Sequence, residues 1–392
     1  METREASGFC PERTDHLVRV FQREVDQQRL PGATALIAQH GKVVLNVCVG
    51  QQNPADATPM AMDSIFRIYS MTKPIVSVAI MQLVERGQLL LSDPVDKYLP
   101  AFAHTMVALA DDGTPLQPVQ AQPTVQDLLR HTAGFTYEIL GDDAIQTQYA
   151  QAGLASRDQS NAQSAHALAQ IPYRTQPGSL WQYSRATDVL GALLEVVSGQ
   201  TLGDYLQQHI LGPLGMVDTS FVVPPHKHHR IAEPFAHDPD GGTQMPMIDL
   251  RQNVPLQSGG GGLGSTVLDY ARLLQCLLSG GTLDGVRILG PATVRSMTAD
   301  HLGDIPVNRT GRSRDLLPPG HGFGLGFAVR LQEGLGNQLG SAGMYYWSGI
   351  SGTVFFVDPA KDFFAILLTQ APNQRTFYRP LFRNLVYAAL LD

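Results

Sequence analysis

The sequence is poor in lysine and cysteine and has no concentration of positive charge. Lys and Arg number 28 against 35 Asp and Glu, which gives a net charge of −7, and no segment collects the basic residues. Because nucleic-acid binding depends on clustered Lys and Arg, the sequence argues against a nucleic-acid partner. The longest apolar run, around 75–83, is far too short to span a membrane, so no membrane partner is expected.

The three cysteines indicate neither a disulfide framework nor a metal site. They lie far apart in the chain, at Cys10, Cys48 and Cys276. Residues 1–20 mix acidic and basic side chains and contain no apolar stretch of the kind found in a signal peptide. These features favour a reducing compartment, and we interpret the protein as cytoplasmic.

Motifs for metals, dinucleotides and the α/β-hydrolase nucleophile are missing. His226, His228 and His229 follow two prolines in a polar segment, without a carboxylate at ligand spacing, so no metal site is expected. The glycine-rich run 259–264 lacks the hydrophobic strand that precedes a dinucleotide-binding loop. No Gly-x-Ser-x-Gly pattern occurs. The sequence thus contains no candidate cofactor site, and we expect no cofactor.

Hydrophobic patterns predict strands at both ends of the chain and helices between them. Alternating and apolar runs predict strands at 32–39, 42–49, 344–348, 352–357 and 363–368. Helical periodicity predicts helices at 15–27, 74–85, 125–130, 187–198, 202–210, 267–278 and 377–391. Two stretches rich in Pro and Gly, 221–242 and 311–326, are interpreted as surface excursions.

These segments predict an α+β fold with two lobes. Closely spaced strands joined by hairpins indicate one antiparallel sheet, built from both chain termini and flanked by helices. With 392 residues, the chain exceeds the usual size of one compact core. We expect one catalytic domain over 1–392, with a sheet lobe at about 1–90 and 301–392 and a mostly helical inserted lobe at about 91–300.

The most informative local feature is a serine three residues before a lysine, where a short strand predicted at 64–68 leads into a helix. Positions three apart share a helix face, so the hydroxyl of Ser70 and the amine of Lys73 can meet. A serine hydroxyl becomes a good nucleophile only when a neighbour accepts its proton, and a helix start favours a developing oxyanion. Ser-x-x-Lys occurs about once by chance in a chain of this length, so further motifs are needed.

Several ordered segments supply that support. Residues 66–75 read FRIYSMTKPI, residues 128–134 read LLRHTAG, residues 177–185 read PGSLWQYSR, and PLGM at 213–216 is followed by four glycines at 259–262. Together they resemble the class C β-lactamase and penicillin-binding-protein superfamily of serine hydrolases, and most closely its family VIII carboxylesterases, from about residue 31 to 392. The resemblance implies a β-lactamase/transpeptidase-like fold, with Ser70 as the acylated nucleophile, Lys73 as its base and Tyr183 as the proton shuttle.

Two positions depart from the pattern of the β-lactamases. Arg185 stands two residues after the tyrosine, where those enzymes have an asparagine, and an arginine cannot accept hydrogen bonds. It counts against efficient lactam turnover, although its guanidinium could instead anchor a substrate carboxylate. The basic Lys-Thr-Gly segment is absent, and Trp347, Ser348 and Gly349 stand in its place, as in many family VIII esterases.

The resemblance assigns further binding roles around this segment. The backbone N–H groups of Ser70 and Ile350 would form the oxyanion hole, and Gly349 would allow close approach of the strand to the acyl group. Trp347 would form an apolar wall that suits uncharged esters, the alternative being a packing role. Tyr137 falls where related esterases have a pocket aromatic. Trp181 is a candidate for substrate contact or, equally, for core packing.

We therefore expect a carboxylesterase that acts on short-acyl, mainly uncharged small-molecule esters, with weak or no β-lactamase activity. Three alternatives remain open at this point: amide hydrolysis, as by a β-lactamase or a D-amidase or peptidase; acyl transfer from the same site; and a binding module that recognises penicillin-like ligands without turnover. Nothing in the sequence specifies the oligomeric state.

Overall fold

A computed structural model of the protein describes residues 8–108, 110 and 112–391. Eight strands form the large sheet: β1 (Gly32–Gln39), β2 (Lys42–Asn53), β3 (Thr58–Pro59), β10 (His321–Phe323), β11 (Ala328–Arg330), β12 (Tyr345–Ser348), β13 (Val354–Asp358) and β14 (Phe363–Thr369). Short two-stranded pairs are made by β4 (Phe66–Arg67) with β7 (Gly264–Ser265), β5 (Val107–Ala108) with β6 (Leu116–Gln117), and β8 (Thr282–Leu283) with β9 (Val286–Arg287).

The helices lie before, between and after these strands. They are α1 (Pro11–Asp26), α2 (Thr72–Glu85), α3 (Val125–Leu129), α4 (Ala144–Gln151), α5 (Asn161–Ala169), α6 (Ala186–Ser198), α7 (Leu202–Leu206), α8 (Val267–Leu278), α9 (Pro291–Met297) and α10 (Arg375–Ala389).

The two ends of the chain meet in the middle of the large sheet. Its strand order is β10-β11-β12-β13-β14-β1-β2-β3, with every neighbouring pair antiparallel. The central partners β1 and β14 pair with Ala35 opposite Leu367, and both strands are buried along their whole length. Burial on both faces requires cover on both sides of the sheet. The predicted α+β fold, with one antiparallel sheet built from both termini, is confirmed.

Helices pack on both faces of this sheet. Phe355 and Phe356 are neighbours on β13 and therefore point to opposite faces. The ring of Phe355 lies 5.3 Å from that of Tyr270 on α8, while the ring of Phe356 lies 5.9 Å from Phe382 and 5.7 Å from Tyr387, both on α10. Helix α1 packs against α10 through Phe21. The sheet is thus the middle layer between α8 on one face and the pair α1 and α10 on the other.

Four of the remaining helices gather around α6. This helix contacts α2, α3, α5 and α7, and α2 also contacts α7. Helix α8 lies within the range expected for the helical lobe and yet packs on β14 and β1. The lobe boundaries near residues 90 and 300 stay a prediction.

Most of the predicted elements form within a few residues of the expected bounds. Helix α8 spans Val267–Leu278 as expected, and the Thr266 side chain caps it by accepting a hydrogen bond from the Asp269 N–H. Helix α7 is shorter than expected because the chain continues as a π-helical turn over Gln207–Leu211. Helices α4 and α5 were not predicted, although each begins with a capping box, at Asp143 and at Ser160.

One local prediction was wrong. Residues 311–326 do not all lie on the surface, because β10 within this stretch is buried and forms the outer strand of the large sheet. A strand of three residues is too short to show its period in the sequence. The short strand expected at 64–68 forms over Phe66–Arg67 as β4 and pairs with β7.

No helix in the described part of the chain is long and apolar enough to cross a membrane.

The layered core predicts a large cost for truncating Phe356. Its ring is fully buried between the sheet and α10, so Phe356→Ala should lower the free energy of unfolding by about 3–5 kcal/mol. Phe377→Ala is the matched control. Phe377 lies on α10 and is 52% exposed, so the loss of its ring should change the free energy of unfolding by less than about 0.5 kcal/mol. Urea denaturation followed by circular dichroism measures both, and equal losses would contradict this packing.

Candidate active site

Ser70 lies in a sharp backbone turn at the beginning of α2. Tyr69, just before it, has a φ of +43°, a left-handed conformation that is uncommon for a residue with a side chain. The Tyr69 hydroxyl accepts a hydrogen bond of 2.9 Å from the Ile248 N–H, which helps to hold this turn. A short 3₁₀ turn over Tyr69–Met71 then leads into α2. The strained residue therefore stands directly before the predicted nucleophile.

The segment leading into Ser70 is bound on one side to the turn between β12 and β13 and on the other to the chain just before β7. The Ser351 hydroxyl donates to the Arg67 carbonyl at 2.7 Å, and the Ile68 N–H donates to the Leu263 carbonyl at 3.1 Å. A Cβ atom added to Gly349 would lie 2.2 Å from the Ile68 carbonyl oxygen, so only glycine fits at the end of β12. The glycine is required by the approach of β12 to the nucleophile segment, which brings residues 349–351 beside Ser70.

Lys73 is buried in a cage of neutral oxygen atoms and aromatic rings. Its side chain is 1% exposed, and Nζ donates to the Ser70 hydroxyl at 3.3 Å, to the Tyr137 hydroxyl at 2.9 Å and to the Gly260 carbonyl at 2.6 Å. Nζ also lies 4.7 Å from the centre of the Tyr183 ring. No carboxylate among the described residues forms an ion pair with Lys73. The amine is thus held by neutral oxygen atoms, directly beside the Ser70 hydroxyl.

The glycine run at 259–262 lies against α6 and contacts Lys73. Gly260 supplies the carbonyl that accepts from Nζ, and its own N–H donates to Asp188 at 2.9 Å. A Cβ on Gly260 would lie 2.6 Å from that carboxylate, and one on Gly259 would lie 2.4 Å from the Thr187 carbonyl oxygen. The absence of side chains thus lets this loop lie against the start of α6 while holding the lysine.

Tyr183 makes the shortest polar contact to the nucleophile. Its hydroxyl donates to the Ser70 Oγ at 2.6 Å. The ring is held between His131, at a centroid distance of 4.9 Å, and Trp347, at 5.1 Å. Burial, together with the charge of Lys73, lowers the pKa of His131 well below its usual range, so this imidazole is neutral at pH 7. Ser70, Lys73 and Tyr183 are therefore brought together as the motifs predict.

Tyr137 lies deeper in the site than a pocket aromatic. Besides its hydrogen bond to Lys73, its ring lies 5.3 Å from that of Tyr183. Burial raises the pKa of Tyr137 well above its usual range, which keeps this phenol protonated. The sequence placed Tyr137 near the substrate but carried no signal for its contact with Lys73, which is 64 residues away along the chain.

Trp347, Ser348, Gly349 and Ile350 line the same region. Trp347 is 4% exposed and packs against Tyr183 and against Phe323, whose ring centre is 5.3 Å away. Ser348 and Ile350 are partly exposed, as is Ser70. In the described part of the chain no acceptor is bonded to the Ile350 N–H, and β12, which ends two residues earlier, contacts the 3₁₀ turn that contains Ser70.

Trp181 and Arg185 have less access to a substrate than their positions in the motif suggested. Trp181 is fully buried against His131 and Phe323, which favours the packing role over substrate contact. Arg185 is 8% exposed, and its guanidinium forms a two-pronged ion pair with Glu138, with Asp188 at 3.7 Å. A guanidinium held in this way is not free to anchor a substrate carboxylate.

Glu138, Asp188 and Gly260 were not singled out by the sequence as individual site residues. The position of Asp188 carried a weak signal, since an acidic residue in the first turn of α6 is favoured by the helix dipole. Glu138 carried none, because its partner Arg185 is 47 residues away along the chain. Among the described residues no group of three or more His, Cys, Asp or Glu is arranged to hold a metal ion.

Comparison with known proteins agrees with this geometry. The sequence matches the beta-lactamase family over residues 17–388. The chain belongs to the beta-lactamase family. The predicted resemblance is confirmed, and with it a serine hydrolase with the β-lactamase fold.

Several members of the family are similar to the chain along most of its length. Protein Rv1367c of Mycobacterium tuberculosis is 34% identical over 361 residues, which cover 89% of this chain and 88% of the relative. Esterase EstB of Burkholderia gladioli is 32% identical over 373 residues, with the same coverage of each chain. Among solved structures, EstCE1, described as a hydrolase with promiscuous acyltransferase activity, has a TM-score of 0.79 and 28% identity, covering 96% of this chain and 98% of its own.

The contact of Tyr137 with Lys73 leads to a prediction. Tyr137→Phe removes one of the oxygen atoms that hold Nζ, so kcat/KM for an activated ester should fall about tenfold or more, the scale of one hydrogen bond to a charged group. Tyr345→Phe is the matched control, because that buried hydroxyl has no hydrogen-bond partner among the described residues. Steady-state kinetics measure kcat/KM for both variants. Equal values in Tyr137→Phe and Tyr345→Phe would mean that the Tyr137 hydroxyl does not contribute to catalysis.

Proposed function

We propose that the protein is a serine carboxylesterase that hydrolyses short-acyl, mainly uncharged esters through an acyl-enzyme at Ser70. The observation that carries the proposal is the convergence of two proton-transfer groups on one hydroxyl: Tyr183 at 2.6 Å and Lys73 at 3.3 Å from the Ser70 Oγ. Both distances are within reach for general acid–base catalysis.

Acylation follows from this arrangement. Ser70 Oγ attacks the ester carbonyl carbon, and its proton passes to the amine of Lys73, which acts as the base. The carbonyl oxygen becomes an oxyanion that accepts hydrogen bonds from the N–H groups of Ser70 and Ile350. When the tetrahedral intermediate collapses, the bond to the alcohol oxygen breaks, and the Tyr183 hydroxyl supplies the proton that the leaving alcohol takes up. Lys73 then returns a proton to Tyr183.

Deacylation uses the same groups in reverse. Tyr183 and Lys73 remove a proton from a water molecule, which attacks the acyl carbon, and Ser70 leaves with its hydroxyl restored. None of these steps requires a metal ion or an organic cofactor, since proton transfer and oxyanion stabilisation come from the chain itself.

The charges around the site support a preference for neutral esters. Trp347 stands where the β-lactamases have a basic residue, and its buried indole offers apolar area with a single N–H donor. The nearby cation of Arg185 is already neutralised by Glu138. A substrate carboxylate would therefore gain no partner from Trp347 or Arg185 to offset the cost of its desolvation. The proposal accordingly includes weak or absent β-lactamase activity.

Acyl transfer is a second candidate, because the same acyl-enzyme can be captured by an alcohol instead of water. It is favoured by the similarity to EstCE1, whose description includes promiscuous acyltransferase activity. Amide hydrolysis has weaker support, since Arg185 is paired with Glu138. Ligand binding without turnover also has weaker support, since Ser70, Lys73 and Tyr183 are all in contact.

We also propose a cytoplasmic location from the three free cysteines. This location fits small ester substrates better than cell-wall ones.

The function is tested with two substrates and one variant. The parent should hydrolyse p-nitrophenyl butyrate steadily, with a kcat/KM far above that for nitrocefin, and Ser70→Ala should abolish the activity. A fluorophosphonate should leave its mass on the peptide that contains Ser70. Comparable efficiencies on the two substrates would contradict the preference for neutral esters. Labelling of a different serine would overturn the mechanism, and a single stoichiometric acylation without turnover would indicate a binding module.

The pairing of Arg185 with Glu138 predicts how this preference can be changed. Glu138→Gln removes the competing charge, so the kcat/KM ratio of p-nitrophenyl hemisuccinate to p-nitrophenyl butyrate should rise about tenfold, the scale of one charge-assisted hydrogen bond. These two esters have acyl groups of four carbons and differ mainly in one carboxylate. Glu24→Gln is the matched control, because Glu24 holds Arg29 in the same two-pronged way at a distant site. An unchanged ratio in Glu138→Gln would mean that Arg185 does not influence substrate charge.

A further inference from the structure

The peptide group between Gly349 and Ile350 is held by its carbonyl oxygen. The Gly349 oxygen accepts a hydrogen bond of 3.0 Å from the Gly352 N–H and a second one from the guanidinium of Arg379. The N–H at the other end of the same peptide group belongs to Ile350, and no acceptor among the described residues is bonded to it. One peptide group thus connects Arg379 with the free donor beside Ser70.

Unlike Arg185 and Arg67, Arg379 is not neutralised by a carboxylate. Arg185 is paired with Glu138, and Arg67 with Glu233 at 3.0 Å, whereas Arg379 makes no ion pair among the described residues. Burial, together with the neighbouring charge of Arg375, lowers the pKa of Arg379 to about 9, so the side chain still carries its positive charge at neutral pH. Arg379 on α10 therefore places an unpaired positive charge at the carbonyl oxygen of this peptide group.

We infer that Arg379 is a positioning residue of the oxyanion hole, which orients the Gly349–Ile350 peptide group and strengthens the Ile350 N–H as a donor. The inference rests on the proposed function, because it takes the Ile350 N–H as the group that binds the oxyanion. A hydrogen bond from a cation to an amide oxygen draws electron density from the nitrogen, so the N–H of that amide becomes a better donor.

This role differs from that of a substrate anchor. Arg379 reaches the reaction through a backbone amide, so its effect should not depend on the charge of the substrate. It should appear where the carbonyl oxygen becomes negative, that is, in the transition state, and hardly in ground-state binding. The variants should therefore change kcat much more than KM.

The experiment compares Arg379→Met, Arg379→Lys and the control Arg375→Met. Arg375 lies one turn earlier on α10 and donates to the Pro372 carbonyl, so its replacement removes a similar charge without touching the Gly349 peptide group. Arg379→Met should lower kcat for p-nitrophenyl butyrate and for p-nitrophenyl hemisuccinate equally, by about 10–100-fold, somewhat less than the complete loss of an oxyanion donor. Arg379→Lys, which keeps a cationic donor, should recover a large part of the activity, and Arg375→Met should stay within a few-fold of the parent.

Two further measurements separate this role from a purely structural one. The rate at which a fluorophosphonate modifies Ser70 should fall in Arg379→Met, since the phosphoryl oxygen occupies the same hole, and this readout needs no ester turnover. In folded protein acylated by a slowly hydrolysed ester, the infrared band of the acyl carbonyl should move to higher frequency in Arg379→Met, because its hydrogen bonds are weaker. Only the folded, acylated fraction contributes to this band, so it remains informative if the variant is unstable.

The outcomes are distinct. A parent that labels at Ser70 but hydrolyses no ester would overturn the proposed function, while the labelling rates would still test Arg379. A loss confined to KM for the hemisuccinate ester would make Arg379 a substrate anchor and overturn the inference. Unchanged labelling rates and an unchanged carbonyl band in Arg379→Met would overturn it as well, as would equal losses in Arg375→Met.

Discussion

The end of β12 lies so close to the chain before Ser70 that a Cβ atom on Gly349 would stand 2.2 Å from the Ile68 carbonyl oxygen. This approach joins the two parts of the molecule that the chemistry needs. Strand β12 and the turn after it supply residues 347–350, and the turn before α2 supplies Ser70. The hydrogen bond from Ser351 to the Arg67 carbonyl holds the same contact from the other side. In the proposed mechanism, the nucleophile Ser70 and the Ile350 donor thus come from segments about 280 residues apart that meet at this contact.

A second constraint acts on Lys73. The helix start places its amine near Ser70, but its other partners are a carbonyl from the glycine run and the hydroxyl of Tyr137. Asp188 bonds to the N–H of Gly260 and to the Ser258 hydroxyl instead of to the lysine. The negative charge therefore orders the loop that holds the lysine and does not pair with the amine.

Charge pairing also distinguishes the arginines around the site. The guanidinium of Arg185 forms an ion pair with Glu138 and lies next to the Tyr137 ring. Its charge therefore stabilises the positions of residues 137 and 138. Arg379 has no such partner and donates to the carbonyl of Gly349. Arg185 and Arg379 thus differ in their interactions. Arg185 is neutralised by a carboxylate, whereas Arg379 is not and binds a backbone carbonyl.

The sequence by itself determined the features that depend on near neighbours in the chain or on burial pattern. The spacing of Ser70 and Lys73 follows from helix geometry, and the strands β1, β13 and β14 follow from apolar runs too short for helices. Tyr183 was singled out by the resemblance of residues 177–185 to a family motif, which is contained in one short segment. The placement of Trp347 and Gly349 near the nucleophile followed from the family pattern alone.

Only the tertiary structure decided the contacts between residues far apart in the chain. It brought Tyr137 to Lys73, paired Glu138 with Arg185, buried Trp181 and carried Arg379 on the last helix to the Gly349 carbonyl. None of these contacts has a sequence signal, because each depends on how the strands and helices pack and not on the local conformation of either partner. An ion pair needs its two charged atoms within about 4 Å of each other. No spacing in the sequence predicts such a distance between remote segments, so the packing decides whether a charged side chain is paired or unpaired.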